Sequence, residues 1–182
     1  MFRYLHGTID HAICYQGRDG LDKVLDVHGF LDADWDGDMD HTRSTSGYVF
    51  NLFGGSINWI RKKQVLVALS TTKVKYMQAT HASKEVVWLQ RLCSEIGFKQ
   101  QAVRIDCDSQ SAIFLAKNPA YHSKMKHIDL QYHFVRDMVE SKKVLLEKVD
   151  TLDNVANSLK KYVSTKKYSW CREPMDIYAL DC

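Results

Sequence analysis

The chain has 182 residues, 45% of them hydrophobic and 26% charged, which excludes a disordered or fibrous protein and fits one globular domain. Its 25 Lys and Arg against 22 Asp and Glu give a net charge of +3, so any surface for nucleic acid must be a local basic patch. The five cysteines are scattered and form no C-x-x-C pair, which predicts a reducing, intracellular compartment, nucleus or cytoplasm undetermined. We expect neither a signal peptide nor a membrane association, because no apolar run is long enough to cross a bilayer.

The first predicted elements are a strand and a hairpin. Residues 24–31 are rich in apolar side chains and lead into an acidic cluster. Residues 47–53 and 56–60 are two further strand-like runs on either side of the turn signal Gly54-Gly55. Together these segments predict three strands, the last two joined by a tight turn.

A long helix follows the hairpin. Ser70 is a suitable N-cap, and apolar residues then recur at spacings of three and four as far as Ile96, just before Gly97. Residues 103–107 form a short strand-like run that ends at Asp108. The pattern therefore predicts a strand that delivers Asp108 to a junction with the next helix.

The remaining elements complete an α/β pattern. Residues 109–117, 128–139 and 152–162 are helix-like, residues 144–149 are strand-like, and residues 163–182 are predicted to be a loosely ordered tail. The order of elements predicts a mixed five-stranded sheet with helices packed on its faces. Of the aromatic residues, Trp59, Trp88, Tyr132 and Phe134 are expected in the core.

The densest polar feature is a run of five aspartates at alternate positions between Asp32 and Asp40. The run is similar to a calcium loop, but position twelve is Arg43 instead of the glutamate that calcium requires, which favours a solvated acidic turn. Asp32 and Asp108 each end a predicted strand, so adjacent strands would bring both carboxylates to one edge of the sheet. Two such carboxylates suit Mg²⁺, although spacing alone favours two unrelated surface aspartates.

Several longer motifs bear on the choice between a Mg²⁺ site and two unrelated surface aspartates. They are DADW at 32–35, RSTSGYVF at 43–50, CDSQSAI at 107–113, and KHID with YHFVR between 126 and 136. These segments resemble the ribonuclease H domain of copia-type LTR retrotransposon Pol polyproteins. Residues 4–8 (YLHGT) resemble the end of the connection segment that precedes this domain. The resemblance implies a remnant of that segment at 1–23, a ribonuclease H-like domain at 24–162 and a divergent tail at 163–182.

The same resemblance implies recognition of an RNA–DNA hybrid, cleavage of the RNA strand with Mg²⁺, and four acidic site residues. Asp32 and Asp108 match the first and third of these positions, but the second is Lys75 and the fourth is Asn157. The site therefore keeps one net negative charge where the family has four. We expect Mg²⁺ binding to be weak or lost, and Lys75 to form an ion pair with Asp32 or Asp108.

The resemblance leaves three functions open. The first is a catalytically inactive monomeric domain that retains affinity for RNA–DNA hybrid or other nucleic acid, through residues that include Arg43, Lys62, Lys126 and His127. The second is an active hybrid nuclease that uses a relocated carboxylate such as Asp34 or Asp106. The third is a protein-interaction adaptor or a relic without a selected function.

Overall fold

The computed structural model describes residues 2–15, 24–34, 44–64, 70–118, 133–160 and 163–180. Its strands are β1 (His11–Ile13), β2 (Val24–Leu25), β3 (Val27–Asp34), β4 (Thr45–Leu52), β5 (Gly55–Lys63), β6 (Lys99–Gln100), β7 (Val103–Cys107), β8 (Val144–Lys148) and β9 (Ile177–Ala179). Its helices are α1 (Phe2–His6), α2 (Thr71–Glu95), α3 (Gln110–Lys117), α4 (Phe134–Glu140), α5 (Asn157–Lys160) and α6 (Thr165–Arg172).

The central feature is a mixed five-stranded sheet of order β5-β4-β3-β7-β8. Strands β3, β4 and β5 pair antiparallel, whereas β7 and β8 run parallel to β3. The β4–β5 hairpin closes through Phe53 and Gly54, which have φ angles of 52° and 85°. Two successive positive φ angles are typical of the tight turn that matches the twist of paired strands. The predicted hairpin is confirmed.

Helix α2 is the longest element, with 25 residues. It begins after Ser70, whose side chain accepts a hydrogen bond from the backbone N–H of Lys73, and it ends just before Gly97, which has a φ of 88°. The predicted start and end of this helix are confirmed, because both depend on local signals.

Helices cover both faces of the sheet. Side chains on the face that contains Leu31 and Phe50 join the main core with α2, α3 and α4. On the opposite face, Phe30 packs with Val155, Ala156 and Cys171 in a second, smaller core. The alternation of neighbouring residues along β3 explains this division. The predicted α/β architecture, a mixed five-stranded sheet with helices on its faces, is confirmed.

The C-terminal part differs from the prediction. Instead of one helix over 152–162, the structure has a 3₁₀ turn at Thr151–Asp153 and the short helix α5. Residues 163–180 are not a loose tail, because they form α6 and β9, and β9 pairs antiparallel with β1. The two paired strands lie at opposite ends of the chain, so no local pattern indicates this pairing.

The prediction that Trp59 and Trp88 lie in the core is wrong. Both are 54% exposed, Trp59 on the edge strand β5 and Trp88 on the outer side of α2. The size of a side chain is a poor guide to burial here, since an edge strand and a surface helix leave large side chains uncovered. Phe134 does pack against the main core, and Tyr132 lies outside the described residues.

Candidate functional site

The sheet brings the two predicted carboxylates to the same edge. Leu31 on β3 lies in register with Cys107 on β7, and the strands run parallel, so Asp32 and Asp108 follow side by side. Lys75 reaches this edge from the first turns of α2, and Asn157 is the first residue of α5. The four positions that the family resemblance singled out therefore meet in one place.

Lys75 lies between the two carboxylates. Its Nζ atom donates a hydrogen bond to Asp108 Oδ1 at 2.5 Å and lies 3.7 Å from Asp32 Oδ1. The Lys75 side chain is 17% exposed, against 0% for Asp32 and 3% for Asp108, so little solvent reaches the group. The predicted ion pair is confirmed, and it involves both aspartates.

The surroundings keep Lys75 charged. Burial acts to lower the pKa of its ammonium, but the hydrogen bond to Asp108 and the negative charges of Asp108 and Asp32 outweigh burial and raise that pKa above 10.5. The neighbouring Cys107 is buried, and burial raises the pKa of its thiol to about 11. At neutral pH the site therefore contains an ammonium group beside a Cys107 thiol that stays protonated and is a poor nucleophile.

Asn157 joins this cluster through Thr151. The Thr151 hydroxyl donates to Asp108 Oδ2 at 3.2 Å, and the Thr151 carbonyl accepts a hydrogen bond from Asn157 Nδ2. Asn157 is buried, and its Oδ1 atom has no hydrogen-bond partner within the described part of the chain. An amide oxygen is a neutral acceptor, so Asn157 adds no negative charge to the site.

The cluster does not fit a pair of divalent cations. Within the described residues, no group of three or more His, Cys, Asp or Glu side chains could hold a metal ion. The two aspartates share one ammonium, which would repel a cation placed between them. A two-ion site needs several carboxylate oxygens around each cation, and this set supplies too few.

Of the two replacement carboxylates that the sequence suggested, the structure describes the side chain of Asp106. Asp106 accepts hydrogen bonds from His28 at 3.0 Å and from Arg104 at 3.0 and 3.3 Å. Burial acts to raise the pKa of Asp106, but these two partners outweigh burial and lower that pKa below 3.8. Asp106 is therefore engaged elsewhere on the sheet. The Asp34 backbone lies in β3, but its side chain is outside the described part of the structure.

Two residues at the site have no sequence signal that singles them out. One is Thr151, which bridges Asp108 and Asn157. The other is Asn154, which is fully buried, donates to the Leu31 carbonyl at 2.7 Å and accepts from the Ala156 N–H at 3.1 Å. Asn154 thus fixes the start of α5 against β3, which positions Asn157.

The predicted nucleic-acid contacts are spread over several segments. Lys62 lies on β5 and is exposed at the edge of the sheet. Arg43, Lys126 and His127 lie outside the described residues. None of the described helices combines the length and the apolar character that a bilayer crossing requires.

Known proteins include relatives of this chain. No family model matches it. The retrovirus-related Pol polyprotein from transposon TNT 1-94 of Nicotiana tabacum is 41% identical over 179 residues, which is 98% of this chain and 13% of that protein. The Pol polyprotein from transposon RE2 of Arabidopsis thaliana is 39% identical over 165 residues, which is 90% of this chain and 11% of that protein.

A solved structure is also similar. The N-terminal RNase H domain of Rv2228c from Mycobacterium tuberculosis, in a fusion with maltose binding protein, aligns with 80% of this chain and 96% of that chain. The TM-score is 0.48 and the sequence identity is 12%. The chain spans only 11 to 13% of the length of the two polyproteins. Its homologues are copia-type retrotransposon Pol polyproteins, and it corresponds to one segment of them.

Proposed function

We propose that this chain is a retrotransposon-derived ribonuclease H-like domain that no longer performs two-metal cleavage of an RNA–DNA hybrid. The homology to Pol polyproteins supports the origin, and the mixed five-stranded sheet is the architecture expected of such a domain. One observation supports the loss of cleavage: the Lys75 ammonium lies 2.5 Å from Asp108 and 3.7 Å from Asp32.

The energy of this arrangement favours the lysine over a metal ion. At about 4 Å, a pair of unit charges is worth roughly 4 kcal/mol at an effective dielectric of 20, and a divalent ion doubles that repulsion from the ammonium. Each 1.4 kcal/mol changes an equilibrium constant about tenfold, so even a strongly screened repulsion weakens metal binding by orders of magnitude. Replacing the fourth acid by Asn157 removes a further negative charge.

The proposal extends to the organisation of the chain. Residues 24–162 form the ribonuclease H-like domain, and residues 1–23 are a remnant of the connection segment. Residues 163–182 are a divergent C-terminal addition, of which α6 contributes Cys171 to the smaller core. We propose a monomeric domain that keeps a basic surface for nucleic acid beside its altered site.

Hybrid cleavage tests the proposal. A labelled RNA–DNA hybrid is incubated with the chain and, separately, with the double variant Lys75→Glu/Asn157→Asp, in Mg²⁺ or Mn²⁺. We expect no cleavage by the unmodified chain and metal-dependent cleavage by the variant, because the variant restores both acids. Metal-dependent cleavage by the unmodified chain, abolished by Asp108→Asn, would refute the loss of cleavage and favour a site completed by relocated carboxylates.

A further inference from the structure

The edge strand β5 has an exposed group of one aromatic and three basic side chains. Trp59 is 54% exposed, and Arg61, Lys62 and Lys63 are exposed as well. Trp59, Arg61 and Lys63 alternate along the strand and share one face, and we call these three residues the β5 patch; Lys62 points to the opposite face. What distinguishes Trp59 from the equally exposed Trp88 is its position on the same strand as three basic residues.

The backbone orders these side chains. Alternate residues of a strand point to the same face, so Trp59 and Arg61 share a face and lie about 7 Å apart at the usual rise per residue. Arg61 is in register with Gly47 on β4, and Gly47 is in register with Asp32 on β3. Since neighbouring strands are about 4.8 Å apart, the β5 patch begins about 10 Å from the altered site.

The strand that carries the patch is basic. Lys62 points to the opposite face, toward α2, where burial and then the positive charges of Lys84 and Lys62 lower the pKa of His81, while Glu85 acts in the opposite direction. The Glu85 carboxylate accepts a hydrogen bond from Asn58 at 3.3 Å on that same face, away from Trp59 and Arg61. Strand β5 has no acidic residue between Gly55 and Lys63. The patch therefore complements a polyanion, not a neutral or basic partner.

We propose that the β5 patch binds single-stranded nucleic acid, with a base stacked on Trp59 and the sugar-phosphate backbone along Arg61 and Lys63. A stacking aromatic combined with a basic track is the arrangement that single strands require, because their bases are free to stack. In a duplex or a hybrid the bases are already stacked on one another, and only the basic track could contribute. The inference rests on the proposed function for the nucleic-acid role of the domain, but not on the loss of cleavage.

Fluorescence anisotropy tests this inference. The probes are a fluorescein-labelled single-stranded oligonucleotide and the same oligonucleotide paired in an RNA–DNA hybrid, each titrated at several salt concentrations. The variants are Trp59→Ala and Arg61→Ala/Lys63→Ala. Trp88→Ala is a matched control, since Trp88 is also 54% exposed, and Lys142→Ala/Lys143→Ala removes two exposed lysines from another part of the surface.

The expected results differ between the variants. Trp59→Ala should weaken single-strand binding at least about fivefold, because stacking is lost, and should change hybrid binding little. Arg61→Ala/Lys63→Ala should reduce the salt slope for single strands by about 1.4, which corresponds to two lost phosphate contacts. The control variants should bind like the unmodified chain. Thermal melting of each variant checks that the fold is retained.

Three results would overturn the inference. They are an absence of single-strand binding at low salt, equal losses for Trp59→Ala and Trp88→Ala, and a preference for the hybrid that Trp59→Ala leaves unchanged. The outcome is separable from the cleavage assay. A chain that cleaves hybrids yet binds single strands through Trp59 would refute the proposed function and leave this inference standing.

Discussion

At the scale of single residues, one side chain determines the chemistry of the site. Lys75 carries a positive charge where the family resemblance implies an acidic residue, and its ammonium contacts Asp108 and lies near Asp32. The sequence could predict this ion pair because β3, β7 and α2 all have clear local signals. It could not predict the contribution of Thr151, which depends on the path of the chain after β8.

The first prediction concerns the stability that Lys75 provides. Lys75→Met leaves the solvent-shielded carboxylates of Asp32 and Asp108 without this cation, so we expect a loss of about 3 kcal/mol in the free energy of unfolding at pH 8. Because the pKa of Lys75 is raised in the folded chain, its contribution is complete below pH 10.5 and declines as the pH rises through the folded value.

Urea unfolding at a series of pH values from about 8 upward measures this contribution. The difference between the unmodified chain and Lys75→Met should shrink above pH 10.5, the ordinary pKa of a lysine. Lys84→Met is the control, since Lys84 is exposed on the same helix and should cost less than about 0.5 kcal/mol. Equal stability of Lys75→Met and the unmodified chain at pH 8 would show that the ion pair does not stabilise the fold.

A second residue-scale prediction concerns Asp106. Its carboxylate accepts hydrogen bonds from His28 and Arg104, so Asp106→Asn should cost about 2 kcal/mol at pH 7. The pKa of Asp106 is lowered in the folded chain, so this stabilisation is present above pH 3.8 and is lost as the pH falls through the folded value. Chemical denaturation at pH 7 and pH 3 measures it, with Asp150→Asn as an exposed control. If Asp106→Asn lost more stability relative to the unmodified chain at pH 3 than at pH 7, the stabilising role of the Asp106 carboxylate would be contradicted.

At the scale of elements, predictability follows the range of the interactions. The β4–β5 hairpin and α2 have turn residues, an N-cap and apolar periodicity within a few positions, and both are as predicted. The short helix α5 has no such signal, because its position depends on Asn154, which reaches across to the Leu31 carbonyl of β3. The exposure of Trp59 is hard to predict for a related reason, since sequence composition does not show which strand lies at the edge.

Helix α5 provides the third prediction. Asn154→Ala removes hydrogen bonds to Leu31 and Ala156 at a fully buried position, so we expect a loss of about 2 to 3 kcal/mol in stability. Asp153→Ala is a neighbouring exposed control and should cost little. Differential scanning calorimetry compares the two. If both variants had the same melting temperature as the unmodified chain, the hydrogen bonds of Asn154 would not stabilise the packing of α5 against the sheet.

At the scale of the whole molecule, the two ends of the described chain meet. Strand β1 pairs with β9, the Cys14 N–H donates to the Asp176 carbonyl at 2.8 Å, and α6 covers part of the sheet through Cys171. The C-terminal residues thus belong to the folded unit, which neither the family resemblance nor local patterns indicated.

The fourth prediction compares two shortened chains. A chain that ends at residue 162 lacks α6 and β9, exposes Phe30, Val155 and Ala156, and should be destabilised by roughly 2 kcal/mol or more. A chain that ends at residue 180 keeps both elements and should match the full chain. Urea midpoints measure the difference, and equal midpoints for all three chains would mean that α6 and β9 contribute nothing to stability.

The central claim is that the Lys75 ammonium occupies the place where a divalent metal ion would bind, and a metal-binding measurement tests it most directly. Electron paramagnetic resonance of free Mn²⁺ is recorded during titration of the full chain and of the Lys75→Glu/Asn157→Asp variant. The account predicts no stoichiometric binding by the unmodified chain and clear stoichiometric binding by the variant, lost again when Asp108→Asn is added. Stoichiometric Mn²⁺ binding by the unmodified chain, abolished by Asp32→Asn or Asp108→Asn, would contradict it.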